Sequence, residues 1–389
     1  MDDGRAEPLG LDARLEWVTR HMPLTAEEIR LLPSLDGVRL ACSVHLEPKM
    51  ARGLEGLLEH GAQLFLTTCN PATVRDDVVR RLHSRGAQAD ARNRMSAQDA
   101  AAAEQRALDW GPTHLWETGA NLTRALVATG GGTSVAAAME TTGSGITLLR
   151  SLDAEGKLPG FPIYNCDEVP IKEGLHNRYL VGQTAWHTFT ERTRLSLQRM
   201  RVLVVGYGPV GRGVAQTARA LGGTVSVAER DPSRALEARY DGFPAGSLEE
   251  LAGRADVLVT ATGAHHVVTS RHFQELPDGC FLMNVGHRDD EMEVAAWGAR
   301  RQVIPFVEEA RVGARTLYLI AGGSMANLVA GQGDTLNSFD ITMAVMLAGI
   351  RYTMSVEART PGPGLHPLPR SAWEGVARRA AGHRDRGER

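Results

Sequence analysis

The stretch RVLVVGYGPVGRGVAQTARALGGTVSVAE, Arg201 to Glu229, decides the fold. Four apolar residues, Val202 to Val205, run into Gly206-Tyr207-Gly208-Pro209-Val210-Gly211, a G-x-G-x-x-G turn, and a helical pattern follows with apolar positions at Val214, Ala218 and Leu221. Gly206 is expected to make the turn, Gly208 to admit a pyrophosphate against the backbone, and Gly211 to let helix and strand pack closely. The first turn of the helix, Val210 included, offers unpaired N–H groups and partial positive charge to that pyrophosphate. A second apolar strand, Thr224 to Ala228, ends at Glu229, about where an acid takes the ribose hydroxyls of NAD. A carboxylate there repels a 2′-phosphate, so NAD is favoured over NADP. Arg230 follows at once and is the residue that could instead accommodate such a phosphate.

Outward from this unit the chain repeats the same alternation of short apolar strands and helical patterns. Residues 1 to 36 read as a helical lead-in. Strand candidates then follow at Val38 to Leu46, Gln63 to Thr68, Thr113 to Glu117, Thr133 to Ala138 and Pro162 to Cys166, with helical patterns around Met50 to His60, Val74 to Ser84 and Ala97 to Ala107. Asn177 to Arg199 is helical in pattern and leads into the fingerprint. Beyond Glu229, strands are expected at Val257 to Thr262, Cys280 to Val285, Val303 to Val307 and Leu317 to Ile320, and a long helix at Ser338 to Met354. The proline-rich ARTPGPGLHPLP cannot be helical, and Trp373 to Arg389, polar and arginine-rich, reads as a solvated or disordered tail. The expectation is an α/β protein with two doubly wound parallel sheets.

With 389 residues the chain is long enough for two full cores, and 43% hydrophobic and 23% charged residues are those of an ordinary globular protein. A net charge of -3 makes no electrostatic case for nucleic acid or an anionic membrane. MDDGRAEPLGLDAR has neither the basic start nor the apolar core of a signal peptide, and no apolar run approaches the roughly 20 residues that span a bilayer. A cytoplasmic protein is expected. Cys42, Cys69, Cys166 and Cys280 are widely spaced without metal-ligand pairing, so reduced thiols and no metal are expected. Only Lys49, Lys157 and Lys172 among the 43 basic residues are lysines. Where arginine is the default cation, a lysine marks a place where a tunable amine is useful.

Most of the chain resembles the S-adenosylhomocysteine hydrolase (adenosylhomocysteinase) family. The likeness rests on Ser43-Val44-His45-Leu46, Thr68-Cys69-Asn70, Asn121-Leu122-Thr123, Glu140-Thr141-Thr142, Asn177-Arg178-Tyr179 with Gly182-Gln183-Thr184, the fingerprint GYGPVGRG, Ala261-Thr262-Gly263, Asn284-Val285-Gly286-His287, Asn327-Leu328 and Asn337-Ser338-Phe339, in family order. The resemblance implies an NAD-binding Rossmann domain, 178–334, inserted into a substrate-binding domain, 1–177 and 335–370, with 371–389 as a polar C-terminal tail. It implies hinge closure over a nucleoside, oxidation of the ribose 3′-hydroxyl, elimination at C4′/C5′, addition of water and reduction of the ketone, in a homo-oligomer, dimer or tetramer. Lys172 falls on the family's catalytic lysine, Asn177 on the asparagine beside it, Glu140 on the carboxylate at the ribose hydroxyls, and His45 and His287 on two proton-handling histidines. Thr141, Thr142, Thr262, Gly263, Asn284 and Asn327 match the cofactor pocket, and Asn70 the substrate side.

The departures gather in the same pocket. Thr118 stands where the family has the aspartate thought to act on C4′, and His176 where it has an aspartate close to the lysine, so that an imidazole becomes the candidate base. Glu117 is adjacent to Thr118 but is expected on the opposite face of its strand. Glu47 replaces a threonine near the ribose or 5′ substituent, and the loop GQGDTL, which holds Asp334, lacks the family's base-contacting histidine. The family's extreme C-terminal segment has no counterpart, which bears on cofactor retention. Three functions stay open: full hydrolysis of S-adenosylhomocysteine or a related 5′-substituted nucleoside; a nucleoside 3′-dehydrogenase, epimerase or lyase using only the oxidation step; and a non-catalytic NAD-binding regulator.

Overall fold

The computed structural model describes residues 10–130 and 134–386. Thr133 of the fourth strand candidate, most of the stretch MDDGRAEPLGLDAR and the last three residues of the tail lie outside them. Contacts divide the chain into two units, one running to Lys172 and resuming at Leu336, the other spanning Glu173–Thr335.

In the first unit the chain forms β1 (Arg39–Val44), β2 (Gln63–Thr68), β3 (Gln88–Ala89), β4 (His114–Glu117), β5 (Ala137–Glu140) and β6 (Pro162–Asn165). The second contributes β7 (Arg201–Val205), β8 (Thr224–Ala228), β9 (Ala245–Gly246), β10 (Val257–Thr260), β11 (Phe281–Asn284), β12 (Arg300–Ile304), β13 (Val307–Val312) and β14 (Arg315–Ile320). The returning chain adds β15 (Gly364–Pro367) to the first sheet. That sheet has the order β15-β6-β5-β4-β1-β2-β3 and is parallel throughout. Every residue of β4, β5 and β6 is buried, as in a sheet covered on both faces, which is why these strands read as continuous apolar runs. The chain lays β2 and β3 to one side of β1 and then places β4 on the other, so the order of winding reverses between β1 and β4.

The second sheet, β12-β13-β14-β11-β10-β7-β8-β9, reverses in the same way between β7 and β10. Its β14-β11-β10-β7-β8-β9 portion is parallel, but β12 and β13 are antiparallel. The single expected strand Val303 to Val307 is therefore two strands. Pro305 lacks an N–H for the ladder and Phe306 takes φ +66, which breaks the run. A two-residue connection with Gly313 at φ +63 then turns β13 into β14.

Two helical expectations are also revised. Asn177 to Arg199 is not one helix: Glu173–Leu180 winds as a wide π turn, Val181–Thr193 is α-helical, and Arg194 at φ +59 ends it. The helix Val181–Thr193 packs on Pro209–Ala220, where a Cβ on Gly182 would lie 2.4 Å from the carbonyl carbon of Gly213, and one on Gly213 would lie 1.9 Å from the Arg178 carbonyl oxygen. The arginine-rich tail is helical over Arg370–Arg386. Val376 is buried within it, Arg379 pairs with Glu27 at 3.5 Å and with the buried Glu28, and the helix packs on Leu336–Thr353. An arginine-rich pattern with one buried apolar anchor hides this helix from a composition-based reading. Among the described residues no helix is long and apolar enough to cross a membrane.

Candidate active site

In an open parallel sheet, ligands bind beyond the carboxyl ends of the strands, at the point where the winding reverses. The first unit places its chemistry-bearing residues there. His45 follows β1, Asn70 lies two residues past β2, Thr118 follows β4, Thr141 and Thr142 follow β5, and Asp167 lies two residues past β6. The register Ser43↔Glu117, Glu117↔Glu140 and Glu140↔Asn165 keeps the strand ends level, and the Thr118 N–H donates to the Ser43 carbonyl at 2.9 Å.

Two buried carboxylates hold this edge together. Glu140 accepts from five protein donors: the N–H groups of Gly119, Ala120, Thr141 and Thr142, at 2.7 to 3.1 Å, and the Thr142 hydroxyl at 2.7 Å. Ala120 sits in the left-handed region at φ +55, so its N–H is presented by a conformation alanine seldom adopts. A Cβ on Gly145 would lie 2.3 Å from the Glu140 carboxyl carbon, so the helix Gly143–Ala154 is also fitted to this group. Any contact of Glu140 with a ribose hydroxyl shares the carboxylate with these five bonds. Glu117 accepts from Leu122 N–H at 2.7 Å, Thr123 N–H at 3.1 Å and the Thr123 hydroxyl. Burial, and then the charge of Glu140, push its carboxyl up to about 8. Burial raises Glu140 as well, against the pull of its N–H donors.

This pair sets a pH dependence. A carboxyl raised from its usual 4.5 to about 8 binds a proton in the folded state that the unfolded chain has released. Its stabilising contribution is complete below about pH 4.5 and is lost as the pH rises through about 8. The melting temperature is therefore expected to fall between pH 5 and pH 8, and Glu117→Gln to flatten that decline. Parallel thermal profiles for the two proteins would refute it.

The other candidates of the first unit lie on the segments that follow β1, β2, β4, β5 and β6. Lys172, 4% exposed, donates from Nζ to the Thr141 carbonyl oxygen at 2.7 Å and pairs with Asp167, 6% exposed. The Thr118 and Thr141 hydroxyls are 2.9 Å apart, and Thr141 Oγ1 donates to the Glu117 carbonyl at 2.8 Å. His45 Nδ1 is 2.8 Å from Thr73 Oγ1 and 3.4 Å from Cys69 Sγ. Asn70 caps the turn Pro71–Thr73 by accepting from Ala72 N–H at 2.9 Å. Glu47 caps the helix Pro48–Glu59 and pairs with the buried Lys49 at 3.1 Å.

The second unit carries the glycine turn between the reversed strands β7 and β10. Gly206 takes φ +98, and a Cβ there would meet Thr262 Cγ2 at 2.9 Å. A Cβ on Gly211 would lie 2.0 Å from the Gly206 carbonyl oxygen, so close packing of turn and helix requires it. Gly208 is the N-cap of Pro209–Ala220 without a side-chain cap, and a Cβ on it would have nothing nearer than Arg234 Nη1 at 3.8 Å. Val210 stands in the first turn, and Arg230 is exposed beyond β8. Glu229 accepts from Tyr207 N–H at 2.6 Å and Asp231 N–H at 2.9 Å, which fixes its carboxylate over the turn. Asn327 is 2% exposed and its Oδ1 has no hydrogen-bond partner. An uncapped helix start, an open face at Gly208, an anchored acid and an orphaned buried acceptor fit a dinucleotide.

Asn284 lies at the end of β11 with its amide spent on the protein, donating to Arg288 O at 2.6 Å and Gly323 O at 3.1 Å and accepting from Thr260 and Gly286. Thr262 and Gly263 are held by Glu291, a fully buried carboxylate that accepts from both N–H groups and from the Thr262 hydroxyl at 2.7 to 2.9 Å. A Cβ on Gly286 would lie 1.7 Å from Glu291 Oε1, so the next loop is fitted to it too. His176 Nε2 is 3.4 Å from Asp334 Oδ2, and Thr184 donates to Asp334 at 3.3 Å. Asn177 is half-buried on the same wide turn as His176, and His287 is half-buried after β11. Among the described residues no three metal-binding side chains gather to hold an ion.

Asp167, Glu291 and the Lys49–Glu47 pair escape a reading by motif. Of these, Lys49 carries a signal as one of three lysines and Glu47 as a departure from the family pattern, but nothing in the sequence pairs them.

Residues 179–333 match the family described as S-adenosyl-L-homocysteine hydrolase, NAD binding domain. The adenosylhomocysteinase of Pyrococcus abyssi is 34% identical over 379 residues, covering 94% of this chain and 88% of that enzyme. The S-inosyl-L-homocysteine hydrolase of Methanosarcina acetivorans is 32% identical over 375 residues, covering 94% and 90%. The adenosylhomocysteinase of Thermococcus kodakarensis is 33% identical over 377 residues, covering 94% and 89%.

Proposed function

Because the chain belongs to the S-adenosyl-L-homocysteine hydrolase family, we propose that it hydrolyses S-adenosyl-L-homocysteine or a related 5′-substituted nucleoside through transient oxidation at the ribose 3′ carbon. The observation that supports this best is the buried Lys172 at the carboxyl edge of β5 and β6, held by Asp167 and the Thr141 carbonyl. The first unit takes the nucleoside and the second the cofactor. Gly206, Gly208, Gly211 and Glu229 hold NAD, with Asn327 Oδ1 as a buried acceptor. Bound NAD⁺ supplies a hydride acceptor.

The chain's own residues handle the protons. Lys172 takes the proton of the 3′-hydroxyl. Glu140 keeps Thr141 and Thr142 in place through their N–H groups, and so fixes the carbonyl on which Lys172 rests. His45 and His287 exchange protons near C5′ and the 3′ oxygen, and His176, oriented by Asp334, acts as the base in place of an aspartate. A homo-oligomer, dimer or tetramer, is part of the proposal.

One observation favours a second reading, in which only 3′-oxidation survives: Thr118, at the family's aspartate position, spends its hydroxyl on Thr141. Oxidation acidifies the hydrogen on C4′, so turnover in D2O separates the two. Recovered substrate carrying deuterium at C4′ together with released thiol supports hydrolysis. Oxidised nucleoside without deuterium or thiol supports the second reading, and unconsumed nucleoside contradicts both.

A further inference from the structure

The mechanism so far uses Lys172 but not the group it touches. We propose that Asp167 is the positioning residue of Lys172: its carboxylate sets the aim of the lysine amine and thereby the efficiency of 3′-proton removal. This rests on the proposed function, in which Lys172 removes that proton.

The geometry is local to the first unit. β6 ends at Asn165, and two residues later the chain presents Asp167. The short turn Pro170–Lys172, closed by the Lys172 N–H on the Val169 carbonyl at 2.8 Å, then brings the lysine back over it. Both side chains are buried, at 5% and 9% exposure. Lys172 Nζ donates to Asp167 Oδ1 and, at 2.7 Å, to the Thr141 carbonyl oxygen. An amine acting as a base has two N–H groups and one lone pair, and these two acceptors take both N–H groups, so the direction of the lone pair that receives the proton is determined. A buried amine tethered at one point only would swing among rotamers, whereas two acceptors on different strand ends leave it a single orientation.

The other carboxylate oxygen is also confined. A Cβ on Gly143 would lie 3.1 Å from Asp167 Oδ2, so the carboxylate lies against the first residue of the helix Gly143–Ala154. Asp167 is thereby wedged between the lysine and the same segment whose preceding residues, Thr141 and Thr142, are anchored by Glu140. A buried ion pair is a costly way to fill space, and a well-packed apolar pair would serve stability at least as well. Its presence at the carboxyl edge of the sheet, on the one lysine that the proposed chemistry needs, points to orientation.

The test uses the 389-residue chain with NAD⁺ and S-adenosyl-L-homocysteine, following reduced nicotinamide in a single turnover and thiol in the steady state. Asp167→Asn keeps the shape and one acceptor oxygen but removes the charge. Asp167→Glu keeps the charge and shifts it by one methylene. Misplacing a reacting group by about 1 Å costs on the order of 100-fold. Asp167→Asn is therefore expected to lower kcat by about 100-fold with KM within about threefold, and Asp167→Glu to recover at least about a tenth of the wild-type rate. Unchanged kcat in Asp167→Asn overturns the inference. So does a loss shared between kcat and KM that Asp167→Glu does not relieve, since that is the mark of a structural role. Lys172→Ala, run in parallel, separates this failure from that of the reading beneath it: an inactive wild type or a fully active Lys172→Ala overturns both.

Discussion

Lys172→Ala is expected to lower the rate of 3′-oxidation by at least about 1,000-fold, the range typical of losing a positioned general base, while NAD⁺ binds within about threefold of the wild-type affinity. The two halves of this expectation come from different parts of the chain. Lys172 lies in the first unit, its Nζ fixed by Thr141 and Asp167, whereas the glycine turn, Glu229 and Asn327 all belong to the second. Single-turnover absorbance of reduced nicotinamide gives the first quantity and equilibrium titration with NAD⁺ the second. A variant that oxidises the nucleoside at the wild-type rate would remove Lys172 from its role. One that no longer binds NAD⁺ would show the lysine to support the cofactor instead.

Glu140→Ala is expected to be the most destabilising single change in the first unit. It strands three backbone N–H groups, those of Gly119, Ala120 and Thr142, and takes the carboxylate from the Thr142 hydroxyl, in a place where Glu140 is 1% exposed, while the Thr141 N–H keeps the Glu117 carbonyl at 3.0 Å. Each buried donor left unpaired costs about 1 to 3 kcal/mol, so even with partial relaxation the loss is at least about 3 kcal/mol. It also releases Ala120 from its left-handed conformation, so the Gly119-Ala120 turn that follows Thr118 loses its anchor. Differential scanning calorimetry should show a melting temperature lower by roughly 6 °C or more. Glu140→Gln, which keeps an acceptor oxygen but turns an amide N–H toward backbone N–H groups, should fall between the two. A melting temperature of Glu140→Ala within about a degree of wild type would mean that the five bonds are not the keystone described here.

The parts of this protein legible in the sequence are those that repeat a short-range physical pattern. Buried parallel strands show as apolar runs, and the turn at Gly206, Gly208 and Gly211 shows because no Cβ fits at two of its positions and the third faces open space. Glu229 could be found from its spacing, and the structure gives the reason: its carboxylate is tied to Tyr207 in the turn itself. What the sequence does not show depends on partners distant along the chain. Nothing near Asp167 announces that it meets Lys172, nor does anything near Glu291 announce the N–H groups of Thr262 and Gly263, about thirty residues earlier. Glu117 was expected to point away from Thr118's face. It does serve a different segment, the start of the helix Asn121–Thr129, yet it couples electrically to Glu140. The terminal helix is illegible in the sequence for a similar reason, since its anchor, Arg379 on Glu27 and Glu28, joins opposite ends of the chain.

The measurement that bears most directly on the account is made on the purified 389-residue protein with NAD⁺, offering S-adenosyl-L-homocysteine and S-inosyl-L-homocysteine in turn, and following free thiol and reduced nicotinamide together. The account predicts steady release of thiol from at least one of the two with no net accumulation of reduced nicotinamide, because the ketone formed at the start is reduced again at the end. Reduced nicotinamide accumulating in step with the nucleoside consumed, and no thiol, would contradict it and leave a 3′-dehydrogenase.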